Sequence, residues 1–340
     1  MTGARAGTVP LTAVLVLGLA LAAAPGAFRM FSRAPKGGEM LDDFRPYMTE
    51  AKVAQFQGYL DEIDAAARET AAGVGPEAEA RLGLDAGGFA ERFPFTADFD
   101  EQWPAIFADM GDMLDTIDDN RDNYDAVDAL PPFVTFPWFF VIPGLLAAGL
   151  ATSVLVARRS RHPGGVRVVA LVALGTGLIA APAVFQMFTR APEGNDMIDD
   201  FRPLMSRAKV VTIQGYFVTI GNGEGELRNQ VLPVLEGPGP TTAETAASFP
   251  SVDRFVENWP TINNEFAPMI GTMSDNVDNF AAVDALPPFA LFPWFFVVPG
   301  LLVAALAFAA RPRRALAHAP VPVSARPAEP VALGDRSPPT

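Results

Sequence analysis

Cysteine is absent from the 340 residues of this chain, and histidine occurs only twice, at His162 and His318. Without cysteine, neither a disulfide framework nor thiolate chemistry is available. Both histidines lie outside the two long acidic segments, so those segments contain no imidazole that could act as a general base. No Walker or dinucleotide-binding glycine motif occurs either. These absences favour a non-enzymatic protein, and we predict no catalytic residue, metal site or cofactor.

Positive charge is also scarce, because 25 Lys and Arg residues stand against 39 Asp and Glu residues and give a formal charge of −14. The chain has no basic stripe that could displace the counterions of phosphates, so nucleic acid is not an expected partner. Half of the residues are nevertheless apolar. Apolar composition combined with strong acidity is typical of a membrane protein that carries acidic domains. The excess of 22 Arg over 3 Lys indicates a GC-rich bacterial genome.

Acidic residues and lysine are missing from four long apolar stretches, at 9–28, 135–157, 166–188 and 290–310, and Arg167 is the only arginine inside them. Each stretch is long enough to cross a hydrocarbon layer of roughly 30 Å as a helix. We therefore predict four transmembrane helices and a bilayer as the first partner of the chain.

Charge also predicts the orientation of these helices. Arginines without acidic neighbours occupy the hairpin 158–165, and three more open the tail 311–340. The segments 29–134 and 189–289 hold 37 of the 39 carboxylates. The positive-inside rule then places the amino terminus 1–8, the hairpin and the tail in the cytoplasm, and both acidic segments outside. The localisation that follows is multi-pass in the bacterial plasma membrane.

The first span allows a second interpretation. The stretch "LGLALAAAPGAF" could be the core of a signal peptide followed by a small-residue cleavage site. The third span ends in the similar stretch "LIAAPAVFQMF" and cannot be a signal peptide. We therefore expect the first span to be retained.

The chain contains a tandem repeat. The stretch "RAPKGGEMLDDFRPYMTEAKVAQFQGY" at 33–59 returns as "RAPEGNDMIDDFRPLMSRAKVVTIQGY" at 190–216, and "AVDALPPF" at 126–133 returns at 282–289. We call residues 9–157 the first copy and residues 166–310 the second copy. Since each copy contains two spans, both copies enter the membrane in the same direction. The predicted halves are therefore parallel, related by a pseudo-twofold axis along the membrane normal, unlike inverted-repeat transporters.

The outer segments show helical periodicity. Val53, Phe56, Leu60 and Ile63 recur at intervals of 3, 4 and 3, as one face of a helix requires. No alternating strand pattern of useful length appears. The predicted fold class is therefore an all-α integral membrane protein, in which each copy encloses one helical extracytoplasmic bundle. The Pro- and Ala-rich tail is predicted to be disordered.

Aromatic and small residues mark the spans. Trp138 and Trp294 head the second and fourth spans on the outer side, which indicates anchoring at the membrane interface. Small residues four apart allow close helix approach. These predicted packing residues are Gly144, Ala148, Gly177, Ala181, Gly300 and Ala304. We expect Gly144 and Ala148 to face the other copy.

Two polar motifs have open interpretations. The run "DTIDDNRDNYDAVD" at 115–128 is interpreted as a solvated helix face, with weak cation binding as the alternative. Arg45 and Arg202, which stand in "DDFRP" in the two copies, are expected to form local ion pairs that fix a turn.

The expected function is that of a binding, scaffold or accessory subunit of a cell-envelope complex, with a membrane or envelope protein as its partner. One alternative is a transporter or channel component, although the intramembrane ionisable residues that usually mark a transport pathway are missing. The second alternative is an envelope hydrolase that uses a pair of carboxylates.

Overall fold

The computed structural model describes residues 8–85, 87–159, 165–236 and 242–311. All regular elements in these ranges are helices, as the sequence predicts. Most of the predicted hairpin and nearly all of the predicted tail, including both histidines, lie outside the described residues.

The helices of the first copy are α1 (Thr8–Ala27), α2 (Met30–Phe44), α3 (Glu50–Glu69), α4 (Gly75–Leu82), α5 (Gly88–Arg92), α6 (Pro94–Asp119), α7 (Arg121–Asp128) and α8 (Phe136–Arg159). Those of the second copy are α9 (Gly165–Val184), α10 (Met187–Phe201), α11 (Arg207–Glu226), α12 (Leu232–Glu236), α13 (Thr242–Ser248), α14 (Pro250–Asp284) and α15 (Trp294–Ala309). One π-helical turn follows α3 and another follows α11, and a short 3₁₀ turn precedes α8 and α15. The first three helices of each copy match in length, with 20, 15 and 20 residues, whereas α14 is one continuous helix where the first copy has α6 and α7.

Four of these helices are apolar along most of their length. Three of them, α1, α8 and α9, are long and apolar enough to cross a membrane. The fourth, α15, has 16 residues and meets the preceding long helix at 50°, so the two qualify as a span only as a bent pair. The chain therefore has three or four candidate membrane spans, with bounds within a few residues of those predicted.

The chain breaks sharply between α1 and α2 and again between α9 and α10. Arg29 lies between α1 and α2 with φ 55°, and Gln186 lies between α9 and α10 with φ 54°. These residues occupy equivalent positions in the two copies. A left-handed conformation costs a residue with a side chain roughly 1–2 kcal/mol, so the surrounding packing must hold both of them in place.

The apolar helices pair within each copy. α1 packs along α8, and α9 packs along α15, while α1 also touches α15 and α8 touches α9. The helices outside these pairs also pack against helices of the other copy. α2 packs on α14 of the other copy, and α10 packs on α7.

The outer helices share one core. Buried residues of both copies form a single cluster, which includes Phe56 and Ile63 of α3 together with Phe255 and Phe266 of α14. The Phe56 and Phe266 rings stack with their centroids 4.4 Å apart. The expectation of one separate bundle in each copy is therefore wrong. Each copy presents an amphipathic helical face, and the face of the other copy covers it.

Several phenylalanines meet their own equivalents from the other copy. Phe136 lies against Phe292 with ring centroids 5.7 Å apart, and Phe140 lies against Phe296 at 4.9 Å. Further out, Phe99 stacks on Phe255 at 6.1 Å. When equal positions touch each other, the contact is isologous, as at the axis of a symmetric dimer. The aromatic residues of the repeated "FPWFF" motif thus serve both copies at one seam.

Arg45 and Arg202 make the local ion pairs that the sequence predicts. Arg45 contacts Asp42 one turn earlier at 2.9 Å and also binds both carboxylate oxygens of Asp128, at 2.6 and 2.8 Å. Arg202 contacts Asp199 and Asp284 in the equivalent way. Each arginine therefore ties the first outer helix of its copy to the end of the last one.

Candidate functional site

Ion pairs that recur in both copies join the copies to each other. Lys52 of α3 pairs with Glu265 of α14, and Lys209 of α11 pairs with Asp109 of α6, with Nζ 2.5 Å from Oδ1. Burial acts to raise the pKa of the Asp109 carboxyl, but hydrogen bonds from Lys209 and Tyr216 outweigh burial and lower the pKa. The charged carboxylate is therefore the favoured form at this contact.

Two glutamates cap long helices of the opposite copy. Glu69 accepts hydrogen bonds from the backbone N–H groups of Ser251 and Val252, at 2.7 and 2.8 Å, in the first turn of α14. Glu226 accepts one from the N–H of Thr96 at 2.7 Å in α6. A carboxylate in this position satisfies orphan N–H groups and interacts favourably with the helix dipole. Sequence reasoning missed both caps, because a cap supplied by another segment has no local sequence signature.

Two buried asparagines complete the set of reciprocal contacts. The side-chain amide of Asn120 donates to Asp200 at 3.1 Å, and that of Asn276 donates to Asp43 at 3.0 Å. Each asparagine is only 1% exposed. These polar groups, which both copies share, thus hold the copies together, so a specialised site is to be sought where the copies differ.

The clearest difference is a pair of polar residues on α6. Thr96 and Asp100 stand where α14 carries Val252 and Val256, and their spacing of four places both side chains on one helix face. The Thr96 hydroxyl is fully buried and has no hydrogen-bond partner among the described residues. One carboxyl oxygen of Asp100 is also buried without a partner in that part of the chain. We call Thr96 and Asp100 the α6 polar site.

Electrostatics distinguish this site from the surface carboxylates. Burial raises the pKa of Asp100 to about 7. A carboxyl with such a pKa gains or loses its proton near neutral pH, and perturbed pKa values of this kind cluster at functional sites. Sequence reasoning missed Asp100 among many acids. A position-by-position comparison of the copies, with Asp in one and Val in the other, would have found it.

Other proteins add nothing to this assignment. Comparison of the chain with protein-family models, curated proteins and solved structures finds no match. The two copies within the chain are therefore the best available reference for each other. Positions where they agree are explained by reciprocal packing, and positions where they differ are the candidates for a special role.

A small apolar cavity lies between the copies, among α2, α7, α10 and α14, with a volume of about 40 Å³. Its lining consists of five equivalent pairs: Met40 and Met197, Leu41 and Ile198, Phe44 and Phe201, Met48 and Met205, and Tyr124 and Phe280. The only hydroxyl among them, that of Tyr124, donates to the Leu41 carbonyl at 2.6 Å, and burial raises the pKa of Tyr124 to about 12. Flexible methionine side chains fill irregular space well, so this cavity is explained as a packing feature.

The predicted interface anchors are half exposed. Trp138 is 51% exposed and Trp294 is 53% exposed. Each indole ring meets a phenylalanine edge to face, Trp138 with Phe31 at 5.6 Å and Trp294 with Phe188 at 5.9 Å between centroids. Both tryptophans lie at the end of an apolar helix nearest the outer helices, where an anchor at a membrane interface would be placed. Their anchoring role stays a prediction.

The predicted packing residues divide into two groups. Gly144 and Ala148 contact Gly18 of α1 so closely that a Cβ atom on Gly144 would lie 2.6 Å from the Gly18 carbonyl oxygen. Gly300 and Ala304 contact Gly175 of α9 in the same way. These contacts join helices of one copy, so the expectation that Gly144 and Ala148 face the other copy is wrong.

Gly177 and Ala181 do not belong to this contact. A Cβ atom on Gly177 would meet nothing within 4 Å, and Ala181 is only partly buried. The glycine of α9 that meets α15 is Gly175, two residues earlier. Two residues correspond to 200° around a helix, so Gly177 points almost directly away from the contact.

The aspartates of the 115–128 run are all exposed. Asp118 pairs with Arg121 and Asp128 with Arg45, as in a solvated helix face that also fixes its own end. Nowhere in the described ranges do three His, Cys, Asp or Glu residues gather in a way that could hold a metal ion.

Proposed function

We propose that this chain is a non-enzymatic integral membrane protein of the bacterial envelope, in which both copies together hold one acidic helical bundle outside the plasma membrane. Its role is that of a binding, scaffold or accessory subunit for a membrane or envelope protein. The observation that carries the proposal is the shared outer core. The reciprocal ion pairs, helix caps and asparagine contacts hold the two copies together through polar groups that occur in both. The exposed carboxylates are left as the recognition surface.

The orientation predicted from the arginine distribution supports a partner outside the cytoplasm. Arginines flank the apolar helices on the side opposite to the outer bundle, and α6 and α7 turn a row of exposed aspartates toward solvent. A partner with a basic face would be attracted to this surface by charge complementarity, which mainly increases the rate of association and the specificity. Apolar helices with tight glycine contacts hold the bundle in position.

Single cysteines are expected to report this orientation cleanly, since the chain has no cysteine of its own. Ser32→Cys and Ser248→Cys replace exposed residues at the two ends of the outer bundle and should react with a membrane-impermeant maleimide in intact cells. Ser160→Cys, in the arginine-rich hairpin, should react only after permeabilisation. Labelling of Ser160→Cys in intact cells, at the rate of the other two, would reverse the proposed topology.

Partner binding is expected to map onto the acidic face of the first copy. A photocrosslinking amino acid at Asp115 should trap a discrete protein in native membranes, and raising the salt concentration before irradiation should weaken the adduct. The same probe at the equivalent position of the second copy, Gly271, serves as the matched control and should trap less.

Two results would contradict the scaffold proposal. One is the absence of any salt-sensitive adduct from either probe position in membranes that contain the native complement of proteins. The other is solute or ion flux in proteoliposomes that contain this protein alone, which would favour the transporter or channel alternative. A flux assay on the purified chain therefore accompanies the crosslinking.

A further inference from the structure

An apolar crevice opens between α1 and α15, beside the outer bundle. Its volume is about 220 Å³, and all of its lining residues are apolar, among them Leu17, Leu21, Phe28, Phe292 and Phe295. An engineered apolar cavity of roughly 150 Å³ is enough to bind benzene. The crevice is therefore large enough to accept part of a hydrocarbon chain, and it contains no polar group that would have to be desolvated.

At the equivalent place in the other copy, two rings lie against each other. Phe139 and Phe185 lie between α8 and α9 with their centroids 5.9 Å apart. Their equivalents are Phe295 and Phe28, which both line the open crevice and make no such ring contact in the described structure. The two equivalent pairs of rings are thus arranged differently, in contact between α8 and α9 and not in contact between α1 and α15.

An arginine that adjoins the lining of the open crevice along the chain is replaced by an uncharged residue in the other copy. Arg29 lies in the chain between Phe28 and Met30, both of which line the crevice, and its guanidinium forms no ion pair with the described residues. The equivalent residue of the second copy is the uncharged Gln186. The left-handed backbone at Arg29 fixes this residue at the junction of α1 and α2.

We infer that the crevice between α1 and α15 binds an anionic phospholipid of the surrounding bilayer. One acyl chain enters the crevice between Phe28 and Phe295, and the phosphate interacts with the guanidinium of Arg29 at the level of the tryptophan anchors. The inference rests on the proposed membrane insertion, which places this end of α1 at the bilayer interface. The lining positions are apolar in both copies, but the arginine and the separated pair of rings occur together at the α1–α15 crevice and not at its equivalent, which makes this crevice the candidate for a specific lipid site.

Photolabelling of the full-length protein in lipid nanodiscs tests the inference. A phosphatidylglycerol with a diazirine in its acyl chain should label the peptide from residues 17–30 more strongly than the equivalent peptide 174–187. Phosphatidylcholine with the same acyl chain should label the crevice less. Arg29→Gln should reduce the phosphatidylglycerol signal about two- to five-fold, the effect of losing an exposed ion pair.

Matched variants separate the crevice from the headgroup contact. Ala24→Phe adds a ring to the crevice and should remove labelling by both lipids. Ala181→Phe, at the equivalent position beside Phe139 and Phe185, should leave labelling of the crevice unchanged. Gln186→Arg should create no new site, because Phe139 and Phe185 still fill the space. If Ala24→Phe impairs folding, the smaller change Ala20→Leu, on an exposed lining residue, takes its place.

Each alternative outcome has a defined meaning. Equal labelling of both copies, or no labelling of the crevice in a protein that is inserted, overturns the lipid site. If both lipids label the crevice equally and Arg29→Gln does not change the labelling, the headgroup contact is overturned and the crevice binds acyl chains without selectivity. Extraction by alkaline carbonate is measured in parallel, because release of the protein from membranes would instead contradict the proposed function.

Discussion

Replacing Gly144 by leucine is expected to force α1 and α8 apart and to destabilise the pair of apolar helices in the first copy by roughly 1–3 kcal/mol or more. The reason is steric, since a Cβ atom at this position would lie 2.6 Å from both the carbonyl oxygen of Gly18 and the backbone nitrogen of Ala22. Both obstacles are backbone atoms, so no side-chain rotation relieves the clash. Thermal unfolding in detergent, followed by circular dichroism, measures the change.

Gly149→Leu provides the control within the same helix. A Cβ atom on Gly149 would meet nothing within 4 Å, so leucine there should change the stability by no more than roughly 0.5 kcal/mol. Gly300→Leu should reproduce the effect of Gly144→Leu in the second copy, because a Cβ atom on Gly300 would lie 2.8 Å from the Gly175 carbonyl oxygen. Equal stability of the Gly144 and Gly149 variants would show that the glycine contact does not hold α1 against α8.

Replacing Asp100 by valine is expected to remove a pH-dependent contribution to stability and to stabilise the protein above neutral pH. Burial raises the pKa of Asp100 to about 7, whereas an aspartate in an unfolded chain titrates near 4. Between these two values the folded state binds more protons than the unfolded state. The free energy of unfolding of the wild type therefore contains a term that is fully present below about pH 4 and is lost as pH rises through about 7, with a slope of up to ~1.4 kcal/mol per pH unit.

The measurement is the difference in unfolding free energy between Asp100→Val and the wild type from pH 4 to pH 8. This difference should grow with pH and level off above about 7, because the ordinary carboxylates contribute equally to both proteins. Asp100→Asn should abolish the same pH dependence, and Glu101→Gln, a change at the exposed neighbouring acid, should preserve it. A difference that stays constant with pH would show that Asp100 titrates as an ordinary surface carboxyl.

Features that depend on local sequence could be predicted well. The lengths of the apolar runs predict α1 as 9–28, and the structure has Thr8–Ala27. The 3-4-3 spacing of Val53, Phe56, Leu60 and Ile63 predicts a helix with one buried face, and all four residues are buried in α3. Both signals are contained in a few consecutive turns, because helical periodicity and span length are properties of the segment itself.

Helix phase could be predicted less well. The sequence contains both Gly175 and Gly177 in one apolar helix, and either could belong to a small-residue contact with α15. The choice depends on the direction from which α15 approaches α9, and α15 follows a 50° bend that the apolar run itself does not reveal. Those are features of the assembled chain, so the prediction selected the wrong glycine.

Which helices of the two copies pack against each other could not be predicted from the sequence, for a more general reason. Two similar copies carry nearly the same apolar faces and share several charged positions, so a helix of one copy fits its own partner and the equivalent helix of the other copy almost equally well. The sequence by itself determined four apolar helices, an all-helical outer region and local arginine pairs. Only the tertiary structure decided that Lys52 reaches Glu265 and that Glu69 caps α14 across the copies, because these contacts depend on where the second copy stands. It also decided that Asp100 is partly buried, with one carboxyl oxygen shielded from solvent, since burial depends on everything packed around a residue and not on the residue itself.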